Sequence, residues 1–224
     1  MAIPTKLSTL HNEIRVAAAA AGYGPVRLLA ISKKQPSAVI ADLAAQGQRT
    51  FGENYVQEAQ HKMHALERLG LEWHCVGHIQ SNKAELAARL FDWIHTVDRA
   101  KLIEPLARSR PLDRPPLNLL IQVNIDAEAS KHGCQPSLIP TLAALICEQP
   151  RLCLRGLMAI PSPLSDQVHC AFERMRALYD ALRNDFPQVD TLSMGMSADY
   201  KQAIGCGANL VRLGTALFGP RTAR

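Results

Sequence analysis

Strand-length apolar runs and helical patterns alternate about eight times along this chain, and that alternation constrains the fold more than any other feature. Strand-length runs occupy residues 26–32, 49–54, 72–79, 93–97, 117–123, 152–160, 191–196 and 209–213. They are rich in Val, Ile and Leu and are bounded by Gly, Pro or small polar residues. Helical patterns fill the intervals at 36–46, 55–69, 81–90, 98–108, 136–148, 165–185 and 198–204. One more helix is predicted ahead of the first strand, where Leu7, Leu10, Ile14 and Ala17 fall at helical spacing and Gly22 and Gly24 stop the run. Ser81 and Asp98 stand where helix N-caps are expected. Short connections between alternating elements, with no break in composition, are the signature of parallel βαβ units. Eight such units fit a (β/α)8 barrel at the small end of its size range. An open doubly wound sheet would need a Gly-rich phosphate turn after its first strand; here that position reads Ser32-Lys33-Lys34-Gln35-Pro36. The expectation is therefore an α/β protein. Its 224 residues form a single TIM-type (β/α)8 barrel domain, with an extra N-terminal helix in residues 1–25 and the barrel in 26–220.

Barrels of this kind do chemistry at the C-terminal ends of their strands. Those ends carry Lys33, Asn54, His78, Asn124, Met158, Ser197 and the run Arg212-Leu213-Gly214-Thr215. A lysine at the mouth of a buried strand can supply a neutral amine that attacks a carbonyl. Strand alternation alone does not choose between Lys33 and Lys34. Taken singly, Asn54 and Ser197 read as helix caps and His78 as a loop histidine. Arg212 inside an apolar strand is different, because a buried guanidinium needs a partner. The ends of strands seven and eight are also where such barrels commonly hold phosphate. Gly195-Met196-Ser197-Ala198 and Gly214-Thr215-Ala216 offer small residues for close backbone approach and two hydroxyl donors. A lysine on strand one facing a phosphate cradle on strands seven and eight suggests a phosphorylated aldehyde, with pyridoxal 5′-phosphate the leading candidate.

Composition removes several other classes. The net charge is +5 and the pI near 9.0, but the basic residues are dispersed and aromatics make up only 5%, so a nucleic-acid stacking surface has little support. The six cysteines form no CxxC pair and no His/Cys ligand spacing, which points to reduced thiols and no metal centre. The N-terminus lacks the charged-then-apolar pattern of a signal peptide, and the run from Ala17 to Ala21 is too short to span a membrane. The expected protein is cytoplasmic and monomeric, with neither nucleic-acid nor membrane partners.

At this point the chain resembles the pyridoxal phosphate homeostasis proteins, a single-domain group related to the N-terminal barrel of alanine racemase. The residues that carry the resemblance are Ala30-Ile31-Ser32-Lys33, Phe51-Gly52-Glu53-Asn54-Tyr55-Val56-Gln57-Glu58, and Trp73-His74-Cys75-Val76-Gly77-His78-Ile79-Gln80-Ser81-Asn82-Lys83. Gly156-Leu157-Met158-Ala159-Ile160, Leu192-Ser193-Met194-Gly195-Met196-Ser197 and Val211-Arg212-Leu213-Gly214-Thr215-Ala216-Leu217-Phe218-Gly219 follow in order. The resemblance implies that Lys33 carries pyridoxal 5′-phosphate as an internal aldimine and that Ser197, Gly214 and Thr215 hold its phosphate. It further implies that Arg212 meets the pyridine nitrogen and that Asn54 lies beside the ring. The chain departs from the family pattern twice, with Lys34 where threonine is frequent and Gln35 where a further lysine is common. Lys34 or Lys131 is left to serve in that lysine's place.

The chemistry of such a site favours a carrier over a strong catalyst. An arginine donating to the pyridine nitrogen leaves that nitrogen without its own proton and weakens the ring as an electron sink. The racemase resemblance would draw its second base from an additional domain, which is expected to be absent here. The reading is a non-enzymatic protein that buffers pyridoxal phosphate or delivers it to apo-enzymes. The alternatives are an amino-acid racemase of low activity and an aldolase that uses the lysine directly on a sugar phosphate.

Overall fold

The computed structural model describes residues 3–162 and 165–219. The predicted end of the barrel, residue 220, falls just outside them. A closed barrel of eight parallel strands runs in the order of the sequence, with each consecutive pair joined by a helical crossover. The strands are β1 (Arg27–Ile31), β2 (Thr50–Glu53), β3 (Glu72–Cys75), β4 (Trp93–Val97), β5 (Leu117–Val123), β6 (Leu152–Ala159), β7 (Thr191–Ser193) and β8 (Leu210–Leu213). Leading into the barrel is α1 (Ile3–Ala21). The crossovers carry α2 (Ser37–Ala45), α3 (Val56–Ala65), α4 (Ala84–Leu90), α5 (Ile103–Ser109), α6 (Ile139–Cys147), α7 (Ser165–Asp185) and α8 (Tyr200–Gly205), and α9 (Thr215–Phe218) follows β8. The predicted (β/α)8 architecture with its N-terminal helix is the one found.

The strands read as near-continuous apolar runs because both of their faces are covered. One core lies between the barrel wall and the helices, and it includes Phe51, Phe91, Ile94, Leu106 and Phe172. A separate small cluster of Trp93, Leu120 and Met158 fills part of the barrel interior. The barrel closes where β1 pairs with β8, setting Leu29 beside Arg212 and Ala30 beside Leu213. Leu7, Leu10 and Ile14 of α1 are buried, and α1 packs on α8 and α9, with the Tyr200 hydroxyl donating to Glu13.

Element ends depart from the sequence reading for local reasons. The helices expected at 81, 98 and 136 each open with a turn of 3-10 helix, at Ser81–Lys83, Ala100–Leu102 and Pro136–Leu138. Neither Ser81 nor Asp98 is the cap; Gln80 and Arg99 hold those positions, without a side-chain bond. β3 stops at Cys75 because the chain then presses onto the end of β2, where a Cβ at Gly77 would lie 2.1 Å from the Asn54 carbonyl oxygen. β7 stops at Ser193 because Gly195 turns the chain at a φ of 92°. No helix among the described residues is long and apolar enough to cross a membrane.

Candidate functional site at the barrel mouth

The exit of β1 sorts the two lysines. A Cβ placed on Gly52 would meet Ile31 Cδ1 at 2.7 Å and Leu29 Cδ2 at 3.4 Å, so Leu29 and Ile31 face the barrel interior. Ser32 faces the other way, and its Oγ donates to Glu53 Oε1 at 2.6 Å between the wall and α3. Alternation returns Lys33 to the inner side. It is half-buried and lines a small cleft with Ile31, Gln35, Gly214, Thr215 and Phe218. Lys34 sits at φ 63° in a turn closed by the Gln35 amide on the Ser32 carbonyl (2.9 Å), and it is exposed. Positive φ at this third position is the type II turn geometry usually filled by Gly or Asn.

A buried ionic group fixes that turn to α3. Lys62 Nζ donates to the Ser32 carbonyl, to Glu53 Oε1 and to Glu58 Oε1, each at 2.7 Å, and Glu58 Oε1 also accepts from the Lys34 amide. The residues on both sides of Lys33 are thus held by one helix. Glu53 is fully buried. Desolvation raises its pKa against the opposing pull of the hydrogen bonds from Lys62 and Ser32. Its Oε2 has no hydrogen-bond partner among the described residues.

Across the seam, Arg212 is buried (4% exposed), with Nη1 donating to Ser193 Oγ at 2.8 Å and Nη2 to the Ala159 carbonyl at 2.8 Å. Among the described residues no carboxylate lies within ion-pair distance of it. Burial lowers its pKa to about 10, opposed by Asp199, so it stays cationic at neutral pH. The Arg212 amide bonds the Gly195 carbonyl at 3.0 Å, and Ser197 Oγ accepts from the Ala216 amide at 3.1 Å, so the turns after β7 and β8 lie together. Lys33, Gly214 and Thr215 therefore share one cleft, with Ser197 bonded beside it and Arg212 in the barrel wall below. Asn54 is half-buried at the end of β2 and lines the neighbouring groove of about 360 Å3, with Tyr55, Gly77, His78 and Lys83. A larger cavity, about 720 Å3, lies on the flank against α3, lined by Met63, Leu66, Trp73, Arg89 and Arg114, away from the strand ends. Lys131 is engaged by Glu128 at 2.8 Å and Asp126 at 3.6 Å. His78, Asp98 and His132 bring ligand atoms within 4.8 Å of one another, but the two imidazoles lie face to face, 3.8 Å apart and 13° from parallel, as stacked rings rather than ligands around an ion.

The sequence reading passed over the polar interior beneath Arg212. His74, His95 and Ser193 are all fully buried there. A signal was present: His74 between Trp73 and Cys75, and His95 after Trp93 and Ile94, put a titratable ring inside strands of a barrel whose interior should be apolar.

Fold and rim together define the class: a (β/α)8 barrel with a lysine at the exit of β1, an arginine on β8 and hydroxyl-bearing turns after β7 and β8. The chain belongs to the alanine racemase N-terminal domain family, which matches residues 5–222, and within it to the pyridoxal phosphate homeostasis proteins. It is 47% identical to the pyridoxal phosphate homeostasis protein of Escherichia coli (strain K12), over 98% of this chain and 97% of that one. It is 49% identical to the protein of that name from Pseudomonas aeruginosa, over 98% and 96%. Among solved structures, PipY of Synechococcus elongatus with PLP bound superposes with a TM-score of 0.85 at 34% identity, over 97% of this chain and 100% of that one.

Proposed function

We propose that this protein binds pyridoxal 5′-phosphate at the barrel mouth, with Lys33 as the covalent attachment residue, and acts in buffering or delivering the cofactor rather than in catalysis. The observation that carries this reading is Arg212, a buried cation with no carboxylate partner among the described residues, on the strand that closes against the one leading to Lys33. Such a cation fits a ligand that presents an electron pair or negative charge. The relatives' name and the PLP-bound PipY structure support the same ligand.

When bound, pyridoxal phosphate supplies an aldehyde that condenses with amines and a ring that withdraws electrons. Lys33 Nζ is the attacking amine, held by a turn whose flanks are tied to Lys62 and Glu58. Ser197, Thr215 and the backbone at Gly214 hold the phosphate. Arg212 donates to the ring nitrogen and, never giving up its proton, keeps the ring a weak electron sink. Asn54 flanks the ring from the β2 side. Lys33 is only half-buried, which suits exchange with an incoming amine, whereas a racemase gains from excluding water.

Borohydride reduction of the loaded protein followed by peptide mapping tests the attachment. The pyridoxyl group is expected on Lys33, and a label confined to Lys34 refutes the assignment. Mixing the loaded protein with an apo-enzyme that requires pyridoxal phosphate should restore that enzyme's activity. Amino-acid racemization that disappears in Lys33→Ala would replace the carrier reading with the enzymatic one.

A further inference from the structure

Beneath Arg212 an unbroken row of polar side chains crosses the barrel interior. Arg212 Nη1 is 2.8 Å from Ser193 Oγ, Ser193 Oγ is 3.2 Å from His95 Nδ1, and His95 Nε2 is 2.8 Å from His74 Nδ1. His74 Nε2 is 2.7 Å from Glu72 Oε1. The row passes through β8, β7, β4 and β3. Its four inner members are buried, and it surfaces at Glu72, the first residue of β3, at the end of the barrel opposite the mouth.

Donor and acceptor chemistry orients every hydrogen in this row. A guanidinium only donates, so Ser193 Oγ accepts from Arg212, and its own hydrogen goes to His95 Nδ1 where that nitrogen carries none. A ring that accepts at Nδ1 carries its hydrogen on Nε2, so His95 donates to His74 Nδ1. His74 then carries its hydrogen on Nε2 and donates to Glu72, a carboxylate that only accepts. The carboxylate at the far end fixes the hydrogen of His74 on Nε2; a second proton on either ring would put an imidazolium in the dry barrel interior that already holds the Arg212 cation, so both rings are neutral, and His74 Nδ1 and His95 Nδ1 are left as acceptors. Desolvation, which lowers the pKa of both histidines, acts in the same sense.

We infer that Ser193, His95, His74 and Glu72 form a one-directional positioning relay for Arg212, which aims the guanidinium at the mouth and ties its charge to a carboxylate on the far side of the barrel. The inference rests on the reading of Arg212 as the residue that meets the cofactor ring. Bonds in such a chain polarise one another, so the Ser193 oxygen accepts from Arg212 more strongly than an isolated hydroxyl would. With the relay intact the guanidinium is anchored at Nη1 and Nη2, and its orientation is set before any ligand arrives. These four residues act through Arg212 and touch no ligand.

The relay predicts a rescue pattern that burial alone does not. His95→Gln keeps an acceptor toward Ser193 and a donor toward His74, so the direction survives. His95→Leu fills the space and breaks the row. In protein loaded with pyridoxal phosphate, His95→Leu is expected to weaken retention about tenfold or more, the loss of one hydrogen bond to a charged group, and to move the cofactor's visible absorption band. His95→Gln should stay within about twofold of wild type with an unmoved band. If His95→Leu does not fold, Ser193→Ala opens the next link with a smaller change and should give the same loss. Nitrogen-15 NMR of the imidazoles in the unloaded protein at pH 7.5 reads the orientation directly, and Nε2–H on both His74 and His95 is expected. Nδ1–H on either ring, a doubly protonated ring, or a folded His95→Leu or Ser193→Ala with unchanged retention and spectrum overturns the relay. A wild-type protein that takes up no pyridoxal phosphate overturns the preceding reading instead, and the tautomers alone then decide the relay: Nε2–H on both rings supports it, any other state refutes it.

Discussion

Replacing Lys62 by methionine removes a cation while keeping a stem of similar length, so its effect reads electrostatics rather than packing. Lys62 makes three bonds at 2.7 Å, and the Glu53 carboxylate it faces is fully buried, with Ser32 as its other partner and Oε2 unpartnered among the described residues. Removing one member of a buried pair strands the other charge, at a cost of about 3–5 kcal/mol. That is a large share of the roughly 5–15 kcal/mol stability of an ordinary domain. The loss depends on pH. Without Lys62 the folded-state pKa of Glu53, already raised by burial, rises further above its unfolded value. The folded variant then holds a proton that the unfolded chain has released. Stability is therefore greatest at low pH and is lost as pH rises from the ordinary carboxylate range through the new folded pKa. Urea unfolding of Lys62→Met at pH 8 should show nearly the whole loss, and at pH 5.5 a smaller one. Lys62→Met combined with Glu53→Gln should recover most of it. A loss below about 1 kcal/mol at pH 8, or a double variant no more stable than the single, would refute the account of this group as a coupled ion pair.

Further outcomes follow from the same contacts. His74 and His95 have folded-state pKa values depressed by burial, so their contribution is complete above about pH 6.5 and falls on acidification, by up to about 1.4 kcal/mol per pH unit for each ring. The thermal midpoint should be lower at pH 5.5 than at pH 7.5, with a smaller difference in His95→Gln; a pH-independent midpoint in wild type would contradict buried neutral rings. Lys34→Asn should stabilise the protein by about 0.5–1 kcal/mol in denaturant titration, because asparagine tolerates the left-handed conformation that lysine is forced into at φ 63°. A neutral or destabilising result would remove strain from the description of this turn. Ser197→Ala and Thr215→Val should each weaken binding of the phosphorylated cofactor by about 1.5–3 kcal/mol, with little effect on unphosphorylated pyridoxal. Equal weakening of both ligands would place the phosphate elsewhere.

Alternating elements made the barrel legible before any coordinates, because a strand buried on both faces must be apolar throughout and a parallel neighbour must be reached through a helix. With the barrel came the rim, since strand ends can be read from the pattern; Lys33, Asn54, Ser197, Arg212, Gly214 and Thr215 all lie at or beside such ends. Tertiary structure decided three things the pattern could not. It separated Lys33 from Lys34, through a positive φ at Lys34 and through Ser32 being pulled outward to Glu53 and Lys62. It turned Lys62, which reads in sequence as one more charge on a surface helix, into the buried anchor of that turn. It assembled Glu72, His74, His95, Ser193 and Arg212 into one row, although His95 and Ser193 stand 98 positions apart. Local pattern records which face of an element is apolar. Which polar groups meet inside a closed barrel depends on strand register and closure, and those are properties of the whole ring of strands rather than of any one segment.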